Sequence, residues 1–227
     1  MLKKTTLIII LLTAFTSCKT IKSLSELKKE NANVYSYNFS NKEIKLIPMH
    51  HLGKKEFYDD VKAKISQFKN DGYVVYYEQI SSKLEVDSIQ NDIIRRKVRK
   101  IKGFSGSYTD IAKGTFLEKY VKQPSYKELG IDENDKRADV DYLQFINEWE
   151  KLNGVIILDS LDLNTKFDAK YEKGTFYTNK QYEKIVIEYR NNYLLDLIKT
   201  SKKSKILVVY GEGHRKNFEK KINSKIE

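Results

Sequence analysis

A chain of 227 residues with 40% hydrophobic and 12% aromatic residues and only two prolines has the composition of a globular protein, which excludes disordered and collagen-like classes. Lys and Arg outnumber Asp and Glu by 42 to 31, a net charge of +11, which raises nucleic acid or an anionic membrane as a partner. The lysines are scattered along helix faces and are not gathered with stacking aromatics, so the excess reads as a solvated surface lying near anionic lipid, with no nucleic-acid partner.

The chain begins with Lys3-Lys4, an apolar run Leu7–Leu12 and then Thr13-Ala14-Phe15-Thr16-Ser17-Cys18, the charged, apolar and small-residue regions of a secretory signal. The apolar run is too short to span a bilayer. Cys18 is the only cysteine and follows Thr16-Ser17 directly, so residues 1–17 resemble a bacterial lipoprotein signal peptide that leaves Cys18 as the palmitate-bearing lipidation site. Phe15 stands where such signals usually carry an aliphatic residue. The expected partner is the lipid bilayer through Cys18, and the expected location is the cell envelope, on a periplasmic or outer-membrane face. A lone cysteine forms no internal disulfide, so the exported domain must be stable without one. The lysine-rich segment 18–33 reads as a tether that adds little to the core. Residues 34–227 are of a length to form a single domain.

In chain order, the alternation of Val34–Phe39 followed by Ser40-Asn41-Lys42 predicts an N-terminal hairpin. Ile44–Met49 is an apolar strand. Phe57, Val61, Ile65 and Phe68 form one stripe on a helix over 54–70, which Asp71-Gly72 stops. Tyr73–Tyr77 is too short, aromatic and β-branched for a helix, so a β-α-β unit with parallel strands follows. A helix over 86–102 carries Ile89, Ile93, Ile94 and Ile101 toward the core, with the basic run Arg95–Lys100 as its solvated face. Residues 103–139, broken by Gly103, Gly106, Gly114 and Pro124, read either as a cap over the site or as a pair of short packing helices. Arg137-Ala138-Asp139-Val140-Asp141 opens a helix over 142–152, with Asp139 or Asp141 as its N-cap. Gly154–Leu158 reads as a third strand, 179–200 as a long helix, and Lys205–Tyr210 as a fourth strand. The fold class is therefore α/β: a mostly parallel central sheet flanked by helices, with an N-terminal hairpin and a helical insertion over the strand ends.

All three histidines sit in two strand-end loops: His50 and His51 after the first parallel strand, and His214 in Gly211-Glu212-Gly213-His214 after the last. Glu78 ends the second strand. Ligands in such folds bind beyond the carboxyl ends of the strands, which is where these groups fall. Met49-x-His51-x-Gly53, the Glu56–Tyr58 tripeptide, the strand ending in Glu78 and the Gly211-x-Gly213-His214 loop resemble the TraB/PrgY/GumN family, which includes the TIKI metalloproteases. More distantly they resemble the erythromycin-esterase and ChaN-like group. The resemblance runs from about Ile44 to Asn217, and it implies that an Ala-Asp-Val-Asp-like element (Asp139, Asp141) and Arg190-Asn191 lie near the site.

Two imidazoles with one or two carboxylates suit a divalent transition metal, Zn, Mn or Co, with a position left for water. His51 and His214 are the expected ligands, Glu78 either a ligand or the general base, and Glu212 a nearby acid. His50 is expected to point elsewhere, since neighbouring residues at a strand end face opposite sides. The function expected is an exported, membrane-anchored, metal-dependent hydrolase, peptidase- or esterase-like, acting on a peptide or small molecule. Without a metal, a His–Glu pair still supports acid–base esterase-like work. The alternative is a non-catalytic lipoprotein of the same fold that binds haem or another small ligand.

Overall fold

The computed structural model describes residues 25–81, 87–103, 114–171, 173 and 177–224; the signal 1–17, Cys18 and the first part of the tether lie outside the described residues. Strands β1 (Tyr35–Phe39) and β2 (Lys42–Met49) form the expected antiparallel hairpin. Ser40 and Asn41 have φ of 52° and 59°, the left-handed pair that a two-residue turn between right-twisted strands requires. A two-residue strand β3 (Leu52–Gly53) leads into helix α1 (Lys55–Asn70), which buries Phe57, Tyr58, Val61 and Ile65. Gly72, at φ 87°, lets the chain reverse into β4 (Val74–Tyr77). Helix α2 (Ser88–Lys102), short strands β5 (Val121–Lys122) and β6 (Lys136–Arg137), and helices α3 (Tyr142–Asn153) and α4 (Ser160–Asn164) follow. A last helical run comprises α5 (Asn179–Gln181), a π-helix (Tyr182–Tyr189) and α6 (Arg190–Thr200), and the chain then enters β7 (Lys205–Gly211) and α7 (Glu212–Asn223).

The five-stranded sheet has the order β1-β2-β7-β4-β6, with every pair but the first parallel. Alternation along β7 divides the core. Leu207 and Val209 pack on the α1 side with Ile47, Val61 and Ile65. Ile206, Val208 and Tyr210 pack on the other side with Leu194, Ile198, Phe218 and Ile222 of α6 and α7. A third cluster joins Ile94 and Ile101 of α2, Phe145, Ile146 and Trp149 of α3 and Ile185 of the π-helix beyond the strand ends.

Gly154–Leu158 is not a strand. Ile156 is buried, but Val155 and Ile157 are 74% and 78% exposed, and the segment is tied to helices: the Ile156 N–H donates to Glu150 Oε1 and Lys100 Nζ donates to the Ile157 carbonyl. The sheet position beyond β4 belongs to β6, from a region whose described part, 114–139, is turns and short strands and not a helix pair. Within it β5 pairs with β3, and Phe116 is exposed.

The basic run on α2 is not simply a solvated face. Arg99 and Lys100 are buried; the Arg99 guanidinium donates to the carbonyls of Asp162, Thr165 and Lys166, and Lys100 Nζ sits 2.5 Å from Asp162 Oδ2. The end of the tether packs on the body as well: Ala32 is buried, its N–H donates to Asp60 Oδ2 at 2.7 Å, and Leu27 rests against Leu52 and Tyr120. Among the described residues no helix is long and apolar enough to cross a membrane.

Candidate active site

Four parallel strands end side by side, and each is followed within three residues by a polar residue that reaches the same edge. In the ladder, Met49 pairs with Gly211, Tyr77 with Val209 and Tyr77 with Arg137. His51, Glu78, Asp139 and His214 therefore leave one edge of one sheet, as expected for the crevice beyond the strand ends of an open α/β sheet. The backbone of Glu78 still belongs to the ladder, its N–H donating to Val209 O at 3.1 Å, so its side chain starts from a fixed point.

Arg190 is the hub. Its Nε donates to Asp139 Oδ1 (2.9 Å); one terminal nitrogen donates to Asp139 Oδ2 (2.6 Å) and Glu78 Oε1 (2.7 Å); the other meets His214 Nε2 (3.2 Å) and the Val186 carbonyl (3.5 Å). All five guanidinium N–H groups are thereby engaged. The second carboxylate oxygen of Glu78 accepts the Gly211 N–H at 2.5 Å. A Cβ at Gly211 would stand 2.9 Å from that oxygen, so glycine is needed there for close approach.

Asn191 fixes the state of His214. Its Nδ2 donates both protons, to the His214 carbonyl and to Asn217 Oδ1, so its Oδ1 accepts from His214 Nδ1–H at 2.9 Å. The Nε2 lone pair is left to accept from Arg190. Burial pushes the His214 pKa down to about 4, the Arg190 charge adding to burial and the Glu78 charge opposing it, so the ring is neutral. For Glu78, burial favours the protonated form, but the Arg190 charge, His214, the Gly211 N–H and the hydrogen bond from Arg190 outweigh it and hold the pKa down to about 2. The floor thus combines an ionised glutamate, a buried Arg–Asp pair and a neutral, immobilised imidazole.

His51 lines the same cleft from the opposite loop and is exposed at its mouth. Its pKa is lowered, first by desolvation; the Glu78 charge opposes this, and those of Arg190 and Lys102 reinforce it. His50 lines the cleft as well, with its ring 5.2 Å from that of Phe57 and its Nε2 3.6 Å from Glu26. Glu212 lines the cleft but is held by Arg215 at 2.9 to 3.1 Å. The two aspartates divide: Asp141 is the N-cap of α3, in a capping box with Gln144, whereas the Asp139 side chain is fully buried against Arg190. Cys18 lies outside the described residues.

The expected ion shared by His51, Glu78 and His214 does not fit this arrangement. Glu78 Oε1 and His214 Nε2 lie 3.5 Å apart and both already meet the Arg190 guanidinium, and among the described residues no three His, Cys, Asp or Glu side chains are disposed to hold a metal. Sequence reasoning did not assign roles to Asn191, Gly211, Tyr126 or Tyr210. The hydroxyl of Tyr126 donates to the Glu78 carbonyl and that of Tyr210 to the Ala138 carbonyl, so the two fix the strand ends that carry Glu78 and Asp139. Asn191 entered the sequence reading only as part of the Arg190-Asn191 pair that the resemblance places near the site.

The cleft holds about 890 Å³, within the range of small-molecule sites. The sheet edge supplies its polar end, and helices supply apolar walls that include Val98, Ile101, Phe145, Tyr182 and Val186. Another concavity of about 710 Å³, at the β1–β2 turn, is lined by Asn38 to Glu43 and Lys199 and contains no histidine. Set against family models, curated proteins and solved structures, the chain matches none.

Proposed function

We propose that this chain is a hydrolase of esterase or peptidase type that works by acid–base catalysis, exported and lipid-anchored through Cys18, and related to the TraB/PrgY/GumN family through the motifs around His51, Glu78 and His214. The observation that carries the reading is Glu78: ionised and immobilised by Arg190 and Gly211, it presents its charge to the exposed imidazole of His51 across a cleft of substrate size. Because the His51 pKa lies below its ordinary value, the ring is neutral at pH 7 and can accept a proton.

In the reaction, His51 takes a proton from water as the water oxygen bonds to the substrate carbonyl carbon. The resulting oxyanion is assigned to Lys102, the cation of α2 that lines the cleft. Collapse breaks the bond from that carbon to the leaving oxygen or nitrogen, and the His51 imidazolium returns its proton to the leaving group. Glu78 stabilises the imidazolium; Arg190, Asp139, Asn191 and His214 act as positioning residues. No step as written needs a metal, and the lone pairs of Glu78 Oε1 and His214 Nε2 are already met by Arg190.

The test is turnover of a panel of esters and peptides by the purified mature protein. His51→Ala should lower kcat/KM by about 10²- to 10⁴-fold, chelators should leave the rate unchanged, and the acid limb should fall below pH 6.5. Loss of activity on chelation would overturn the reading. A stoichiometric haem complex without turnover would favour the ligand-binding lipoprotein, which the same apolar walls could serve.

A further inference from the structure

The third core cluster is incomplete. Val98, Ile80 and Val186 belong to it but are only partly buried, and their open sides line the cleft together with Ile101, Phe145 and Tyr182. These side chains come from α2, α3, the π-helix and the chain after β4, so the apolar wall is built from four segments and is not one stray patch. In the π-helix each turn closes i to i+5, and its Tyr182 and Val186 nevertheless reach the cleft together with Arg190 at the start of α6. His51, Glu78 and His214 enter the cleft from the sheet edge, and Lys102 of α2 and Lys216 of α7 also line it.

We propose that the substrate is an acyl ester whose hydrolysed carbonyl sits at His51 and whose acyl side is an extended apolar chain lying along α2 and the π-helix, with Val98 and Val186 setting its length. This rests on the hydrolase reading above. A peptide main chain running along the same wall would place amide groups against aliphatic side chains without hydrogen-bond partners, a loss that an acyl chain does not incur. Each methylene buried on the wall should raise transition-state binding roughly three- to fourfold.

The experiment compares p-nitrophenyl esters from acetyl to dodecanoyl on the mature protein, alongside displacement of the fluorescent probe N-phenyl-1-naphthylamine by fatty acids of the same lengths. The expected result is kcat/KM rising about three- to fourfold per methylene to a plateau. Val98→Trp and Val186→Trp should each lower the ratio of long-chain to acetyl turnover, with circular dichroism verifying the fold. Turnover with a flat chain-length profile, or with a ratio that neither tryptophan changes, overturns the acyl-arm proposal and leaves the hydrolase reading intact. Probe displacement that depends on chain length and is lost in Val98→Trp, with no ester turned over, does the reverse: it supports the apolar arm and removes the hydrolase.

Discussion

Two buried charge clusters lie on either side of α2, and only one of them is a candidate for chemistry. At the sheet edge, Arg190 binds Glu78, Asp139 and His214. On the far side, fully buried Asp162 receives Lys100 Nζ and the Tyr171 hydroxyl at 2.5 Å and the Asp159 N–H at 2.9 Å, while Arg96 and Arg99 donate to the carbonyls of 162–166. Both meet their charges with hydrogen bonds, although Arg99 Nε in the second is buried without a partner. The second is closed, and its product is a loop fastened to a helix. The first opens on a cleft with another titratable ring across it. Burial and a displaced pKa thus mark both places, and what separates a site from a staple is an adjoining cavity and a group able to exchange a proton there.

The contrast is broken most severely at Arg190. Arg190→Ala leaves Glu78 and Asp139 facing each other without a cation, and should cost about 3–5 kcal/mol in denaturant unfolding as well as the activity. A loss below about 1 kcal/mol would show that the hub is dispensable.

The next effect is pH. His214 has a folded pKa of about 4 against an ordinary 6.5, so below pH 6.5 the unfolded chain takes up the proton first. Stability should fall as the pH drops from 6.5 to about 4, by about 3 kcal/mol, with His50 and His51 contributing in the same direction. Glu78 adds a second loss as the pH falls through 4.5 toward 2. Asp162 is also held below its ordinary 3.8, despite burial, by Lys100, Tyr171, Asp159 and Lys173, so the staple loosens only below that pH. His214→Gln should flatten the segment between 6.5 and 4; an unchanged slope there would remove His214 as its source.

Lys100→Met tests the staple. Asp162 keeps Tyr171, Lys173 and the Asp159 N–H, so the expected cost is smaller, about 1–3 kcal/mol, with kcat/KM unchanged. A change in kcat/KM at constant stability would join the two clusters functionally. Gly211→Ala should be milder still in stability, about 1 kcal/mol, because only the N–H bond to Glu78 and its close approach are disturbed. Activity should fall at least tenfold, and retention of full rate would show that Glu78 need not be fixed. His50→Ala, smallest of all, should keep kcat/KM within about twofold.

The parallel core was legible because local patterns specify it: α1 has one apolar stripe, and β2, β4 and β7 are short apolar runs bounded by turn residues. Convergence of His51, Glu78 and His214 on one edge followed from parallel strands alone. Gly154–Leu158 misled because its apolar run is real; Ile156 does face the core, but Lys100 and Glu150 hold the segment where a neighbouring strand was expected. The run Arg95–Lys100 looked solvated since nothing local shows that 157–171 folds back over it. Asp139 and Asp141 both suit an N-cap, and only the long-range partner Arg190 tells them apart. That Glu78 and His214 both meet the Arg190 guanidinium is likewise a tertiary fact: the sequence contains the donors, but their spacing does not say which cation they hold.

The position of β7 ties two events together. Val209 pairs with Ile47 on one side and with Tyr77 on the other, so β2 and β4 share no ladder and each would show an open edge without it. A chain emerging from its N-terminal side can form the hairpin and α1, but the sheet must wait for the seven residues of β7, a pairing of long sequence separation and therefore slow closure. Those residues also deliver Gly211 to Glu78 and carry His214 to Arg190. Acquiring a stable fold and acquiring a working cleft are one step for this molecule, and truncation before Lys205 forfeits both at once.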